Sequence, residues 1–410
     1  MGSALQSPAT RSPAETANSE PLSPDVSPGS DRRFSYQPAL DGLRALAVSA
    51  VLFFHQGFPW AGGGFLGVDI FFVLSGYLIT GLLVEEWRAN GRVGLTAFWA
   101  RRARRLLPAL YLFMLGIVVY TILFVAPQDL GKLRTAAFTT LAGVGNWRTL
   151  DLSDVPDFTP LNHTWSLAIE QQWYVVWPFI VIGLLSLWRG SLKLLLGATV
   201  VLALLSALLM AWLYNPGSGA VRIYYGTDTR AQVLLVGGAL AVLFARYGAI
   251  RNERGRFALQ VASLACAGAI VWACVRAQHG TAPLCQGGYL LFALAVAVVI
   301  AAVSQSKSGP LTRFLSLPPL RGLGLISYGV YLWHIPVYGA LSIERTSLDG
   351  YALFAARAYL TLMLAIISYN LVETPLRRGA LRRWRASWTL APVGAVCLAG
   401  LIFVVTLGPL

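Results

Sequence analysis

Residues 41–56 read DGLRALAVSAVLFFHQ, an apolar run that begins with Asp41 and Arg44 and ends on His55. An 11-residue step returns to within about 20° of the same helix face and rises about 16 Å. Arg44 and His55 therefore belong to one stripe, with Asp41 a turn from Arg44 and placed to pair with it. Charges at membrane depth cost a few kcal/mol each, so they mark function by default. The plainer reading, a snorkelling arginine and a histidine at the water boundary, leaves their shared stripe unexplained. The chemistry such a pair offers is phosphate binding by a guanidinium and proton or acyl transfer by an imidazole.

Five further stretches carry groups of the same kind. In GGGFLGVDIFFVLSGYLI, Asp69 opens the span at a depth where it is expected to accept the N–H of His55 and orient it. Ser75 and Tyr77 follow deeper, as hydroxyl donors able to steady an oxyanion. FWARRARRLLPALYL supplies Arg101, Arg102, Arg104 and Arg105, forks matched to phosphate as well as a stop-transfer cluster. NHTWSLAIEQQWYVVWP sets His163, Glu170 and Tyr174 on one face beside Trp165, Trp173 and Trp177, rings flat enough to stack on a sugar. ISYGVYLWHIPVY carries His334, and SYNLVETPLRR carries Glu373 at a helix end. Only His279, in a loop, looks incidental.

The elements that position these residues are membrane helices. Hydrophobic residues make up 56% of the 410 and charged residues 12%, with a mean hydropathy of +0.62; soluble domains carry roughly 25% charged residues. The net charge of +14 would suggest nucleic acid in a soluble chain. Here loop asymmetry accounts for it, and no nucleic-acid partner is expected. Four cysteines show no metal-ligand spacing, so no metal is expected.

Spans of about 20 residues fit near 40–59, 64–84, 106–126, 161–188, 192–213, 230–246, 257–275, 287–304, 322–343, 352–373 and 388–408. The short apolar segment 136–150 is the ambiguous one. Leaving it uncrossed puts 23 basic residues on one side and 7 on the other; letting it cross destroys that bias, so it is expected to stay on one side. The expectation is eleven helices, a cytoplasmic N-terminus, an outward C-terminus and a long outward loop over 127–160. Residues 1–33, rich in Ser, Pro, Ala and Glu, read as a disordered cytoplasmic tail without the apolar core of a signal peptide.

With these motifs in order, the chain resembles the acyltransferase-3 family of bacterial membrane O-acyltransferases. ALDGLRALAVSAVLFFH carries the family's Arg-x10-His, and GFLGVDIFFVLSGYLIT its second-helix motif. FWARRARRLLPAL, HTWSLAIEQQWYVVWP, SYGVYLWHIP and ETPLRR follow. The resemblance covers roughly residues 34–385 and implies an all-α polytopic bundle of ten helices. Residues 386–410 form an eleventh transmembrane helix, similar to the linker helix of members with an extracytoplasmic SGNH-type esterase domain. No such domain follows it here, which points to a truncated or separate-acceptor relative.

The resemblance also implies an activity: transfer of an acyl group, often acetyl, from cytoplasmic acyl-CoA to a sugar hydroxyl of an envelope glycan or glycosylated metabolite. Acyl-CoA is then a substrate and no cofactor stays bound. Arg101–Arg105 and Arg44 would hold the donor, and His55 with Asp69 would act as base or acyl carrier. Ser75 or Tyr77 would steady the oxyanion. His163, Trp165 and Glu170 would position the acceptor, with His334 and Glu373 supporting. The competing class is a polytopic transporter or proton-coupled carrier using the same buried His, Asp and Glu, although the two halves show none of the internal symmetry common in transporters.

Overall fold

The computed structural model describes residues 1–2, 36–148, 159–216, 220–306, 308–377 and 387–407. Contacts separate residues 1–35 from 36–410, and all that follows concerns the second unit. The tail expected over residues 1–33 lies from residue 3 onward outside the described residues, as does most of the basic run before the last helix.

Every regular element among the described residues is helical. In chain order they are α1 (Pro38–Gln56), α2 (Gly67–Asn90), α3 (Leu95–Phe124), α4 (Leu130–Leu141), α5 (Gly145–Arg148), α6 (Trp165–Leu187), α7 (Leu192–Leu213), α8 (Ala220–Tyr225) and α9 (Thr227–Tyr247). They continue with α10 (Glu253–Arg276), α11 (Tyr289–Gln305), α12 (Pro310–Leu315), α13 (Pro318–Leu325), α14 (Ser327–Ala340), α15 (Ile343–Thr346), α16 (Gly350–Ser368), α17 (Thr374–Arg377) and α18 (Ser387–Val405). Short turns link several of them.

Nine of the described helices, α1, α2, α3, α6, α7, α9, α10, α11 and α16, are long and apolar enough to cross a membrane. The other two expected spans differ in form. The segment over 322–343 is broken: α13 ends at Leu325 and α14 begins at Ser327, so neither piece alone reaches membrane length. Two prolines open α13, where no ladder bond is lost, and Pro336 lies inside α14, which runs on past it to Ala340. The last span is α18, whose described apolar part is short. Segment 136–150 forms the end of α4 and the four-residue α5, too short to cross as one helix.

At the centre α9 packs between α2 and α7, while α1 packs on α2, α13 and α14 and α18 on α3 and α4. Lipid tails are as apolar as leucine, so close backbone approach has to hold such helices together. Glycines supply it. A Cβ at Gly76 would collide with the carbonyl of Leu234, and one at Gly237 with that of Val73, so α2 and α9 touch backbone to backbone. Gly64 and Gly67 press on the carbonyls of Ala50 and Ala47, which fixes the register of α2 against α1. Rings and aliphatics on inward faces are closed off, Phe72, Leu74, Ile79 and Trp177 among them, whereas α10 and α16 turn most of their surface outward.

Gly237→Val should therefore force α2 from α9 and cost about 1–3 kcal/mol, read as a clear fall in thermal midpoint of the detergent-solubilised protein. Gly183→Ala, where the added Cβ meets nothing within 4 Å, should leave the midpoint unchanged.

Candidate active site

Three groups of polar residues stand out in the bundle, and most of the sequence candidates fall within them. The first lies toward the end that carries the Arg101–Arg105 run. Arg44 pairs with Asp41 at 2.8 Å, as its spacing suggests. Tyr36 donates to the other Asp41 oxygen and accepts from Arg321, so Arg44 is braced from below.

The four arginines of α3 split by helix face. Arg101 is exposed and pairs with Glu86 at 3.2 Å, and Arg104 is exposed. Arg102 and Arg105 are less accessible and come close enough to Tyr174 to act on it electrostatically. Arg102 keeps its Nε without a partner among the described residues, an unusual state for a buried donor.

Between these arginines and the bundle centre sits Glu170. Ser75 donates to its Oε1 at 2.5 Å and Tyr174 to its Oε2 at 3.3 Å, with the two hydroxyls 3.2 Å apart. Arg44 and Arg105 both bear on this carboxylate. Tyr328 bridges onward electrostatically to Glu373, which is buried and accepts a bond from Ser368 at 3.4 Å. Arg44, Arg102, Arg105, Ser75, Glu170, Tyr174 and Glu373 thus belong to one connected region. Tyr77, two residues past Ser75, points the other way: its ring meets Phe244 and its hydroxyl bonds Ser304. It does not join Ser75, because a two-residue step turns a helix by about 200°.

The second group is a row of three histidines toward the opposite end. The rings of His55 and His334 are 4.9 Å apart between centroids, and those of His334 and His163 are 5.0 Å apart. His334 and His163 are buried while His55 is exposed. Tyr331 donates to the His163 carbonyl at 2.8 Å and accepts from Ser166 at 2.6 Å, which fixes the start of α6 against α14.

The third group corrects the expected His55–Asp69 pair. Asp69 does not reach His55. It accepts from Arg230 of α9 at 2.6 Å, and both side chains are 0% exposed. The register explains the separation: Gly64 and Gly67 lie level with Ala50 and Ala47, which puts Asp69 near Ala45, ten residues short of His55 and a rise of about 15 Å away. Desolvation adds to it, since a buried carboxylate needs a cation more than it needs an imidazole.

Tyr289 lies 4.1 Å and Tyr224 5.0 Å from the Arg230 guanidinium, with Phe72 and Trp165 behind. Trp165 is thus a wall of this ion pair, and with Trp173 and Trp177 it is buried, so these faces are closed to a sugar ring. His279, set aside in the sequence as incidental, packs on Tyr224 at 4.1 Å. Arg230 was the residue missed. It opens a span in GTDTRAQVLLVGG, and a basic residue there facing an acid in another span was the available signal.

A polytopic helical bundle with buried arginine, carboxylate and imidazole groups describes a class of membrane protein. The family is narrower. The acyltransferase-3 profile, an acyltransferase domain, matches residues 37–369, and the chain belongs to that family. It is 38% identical over 395 residues to "Peptidoglycan O-acetyltransferase OatA" of Listeria monocytogenes, covering 91% of this chain and 62% of that protein. Against "O-acetyltransferase OatA" of Staphylococcus aureus the identity is 32% over 352 residues, covering 84% of this chain and 57% of the relative. The chain therefore spans about three fifths of the length of these relatives. No solved structure matches it.

The buried ion pair makes a prediction independent of activity. Asp69→Asn or Arg230→Met alone leaves an uncompensated charge and should cost about 3–5 kcal/mol. Asp69→Leu combined with Arg230→Met should recover most of that loss in the thermal midpoint.

Proposed function

We propose that this chain is a membrane O-acyltransferase that moves an acyl group, acetyl in the simplest case, from acyl-CoA to a sugar hydroxyl of a cell-wall glycan. The observation that carries this reading is the polar route through one bundle: inward-facing Arg44, Arg102 and Arg105 toward one end, Glu170 with Ser75 and Tyr174 next, and His55 with His334 and His163 toward the other. The relatives support it, since both are named as O-acetyltransferases and one as acting on peptidoglycan.

In this reading the Arg-rich end faces the cytoplasm, as its basic bias favours, with the N-terminus inside, the C-terminus outside and eleven crossings counted with α13–α14 and α18. Residues 34–385 are the transferase domain, 1–33 a tail and 386–410 a further membrane helix. Arg44, Arg102 and Arg105 hold the donor's phosphates, and the unpartnered Arg102 Nε is one donor free for that task. Arg101 and Arg104 lie on the exposed face and contribute long-range attraction.

His55, open at its end of the helix, takes the proton from the acceptor hydroxyl as the oxygen attacks the thioester carbon. A C–O bond forms, the C–S bond breaks, and the proton ends on the CoA thiol. Glu170, Ser75 and Tyr174 line the path between the phosphates and the reacting carbon. Envelope carbohydrate is the acceptor, membrane lipid the surroundings, and CoA leaves as product.

Purified protein in lipid nanodiscs, given labelled acetyl-CoA and a soluble glycan oligomer, tests the reading. Arg102→Ala removes a charge-assisted hydrogen bond of about 1.5–3 kcal/mol and should raise the donor KM by roughly 10- to 100-fold. Arg104→Ala should change it by no more than about 2-fold. Wild-type transfer by His55→Ala would remove His55 from the chemistry, and an unchanged donor KM in Arg102→Ala would remove the phosphate site.

A further inference from the structure

We infer that His334 is the residue that orients His55, a neutral imidazole standing where such a base is more often held by a carboxylate; the inference rests on the acyl-transfer reading above. The hydrogen bonds assign every ring proton in turn. His334 Nδ1 lies 2.6 Å from the carbonyl of Tyr331. A carbonyl only accepts, so that nitrogen carries the proton and His334 Nε2 is left as a lone pair.

This lone pair faces His55 Nδ1 at 3.3 Å, and the same Nδ1 faces the carbonyl of Val51 at 3.0 Å. Both neighbours of His55 Nδ1 are acceptors. They demand a proton there, and the Nε2 of His55 is left as the free basic lone pair. The geometry thus selects the tautomer that general-base chemistry requires.

Among the described residues no carboxylate bonds His55, and Arg357, bonded to Gln56 beside it, is a cation rather than an acceptor. Asp69 and Asp41, each 14 residues from His55 in sequence, are committed to Arg230 and Arg44. His163 donates its Nε2 proton to the carbonyl of Leu332 at 2.9 Å, and its Nδ1 has no partner among the described residues. It stands on the far side of His334 as a second neutral ring with an unused lone pair. When His55 takes up a proton, the charge on Nδ1–H is turned toward the His334 lone pair. His334 touches no substrate in this scheme and is a positioning residue.

A neutral partner also suits the depth. A carboxylate beside His55 would need its own cation, as Asp69 does, whereas an imidazole anchored by the Tyr331 carbonyl adds no charge to the helix packing.

Two measurements on the full chain in nanodiscs test this. The protein has four histidines, so ¹⁵N ring shifts, assigned with single His→Asn variants, report each tautomer. His55 should carry its proton on Nδ1; a proton on Nε2 in the unaltered protein overturns the inference, whatever the activity. With labelled acetyl-CoA and a soluble glycan oligomer, His334→Leu should lower kcat by roughly 10²–10⁴-fold with donor KM changed by less than about 3-fold.

His334→Gln, whose side-chain oxygen still accepts from His55 Nδ1, should restore at least about 10-fold of that loss. Equal kcat in the Leu and Gln variants, with the His55 tautomer unchanged in both, overturns the positioning role. If the unaltered protein transfers nothing from acetyl-CoA, the functional reading fails, and the ring shifts alone then decide on His334.

Discussion

A charge placed among membrane helices must meet its opposite, and in this bundle that requirement is settled at Asp69 and Arg230. Both side chains are fully closed off, and each neutralises what would otherwise be a severe desolvation cost. The pair joins α2 to α9, the helices whose glycines let their backbones touch. The charges and the glycines make the same demand: only close approach brings the carboxylate to the guanidinium, and only the pair makes burial of either tolerable. Tyr224, Tyr289, Phe72 and Trp165 then wall the arginine with ring faces, an arrangement that favours a desolvated cation.

Fixing Asp69 to Arg230 determines what the other polar residues can do. With that carboxylate committed, Ser75, about a turn and a half further along α2, faces Glu170 of α6, and Glu170 is the acid that meets the arginines of α1 and α3. The histidines are left among carbonyls and hydroxyls: Val51, Tyr331, Leu332 and Ser166. The arginine–carboxylate cluster thus lies toward one end and the imidazoles toward the other, where Arg357 bonds Gln56 and the carbonyls of Leu341 and Tyr338. In the proposed reaction that division matches the two substrates, one anionic at its phosphate handle and the other an uncharged sugar.

Much of this was readable in the residues, and the limits have physical causes. The Arg44–His55 stripe, its Asp41 brace and the inclusion of Ser75, Glu170, His163 and His334 follow from residue type and helical spacing, which act within one element. The positions of the nine described helices long and apolar enough to cross a membrane follow from length and apolarity. Partner choice between helices did not, because it depends on register, and register here is set by a few glycine contacts, Gly64 and Gly67 against α1 among them. A slip of about ten residues in α1 separates an Asp69 that meets His55 from one that does not. The split of the Arg101–Arg105 run into exposed and inward pairs was implicit in its helical spacing. Its direction was not, since it depends on which neighbour covers α3. The break between α13 and α14 escaped for another reason: apolarity over 322–343 is continuous, and hydropathy is blind to a backbone interruption inside protein.

The break has a structural consequence of its own. α13 ends at Leu325 and α14 restarts at Ser327, with Ile326 between them at a non-helical φ of −97° and ψ of 3°. It is α14 that brings Tyr331 to the start of α6 and His334 between His55 and His163. An interrupted segment at membrane depth is tolerated where protein rather than lipid surrounds it, and this one is packed by α1, α3 and α16. The discontinuity and the histidine row therefore belong to one short helix, with His334 eight residues beyond Ile326. A helix continuous through Ile326 would satisfy the lipid more cheaply, but it would shift the phase of every residue after it and move His334 off the face it shares with His55 and His163.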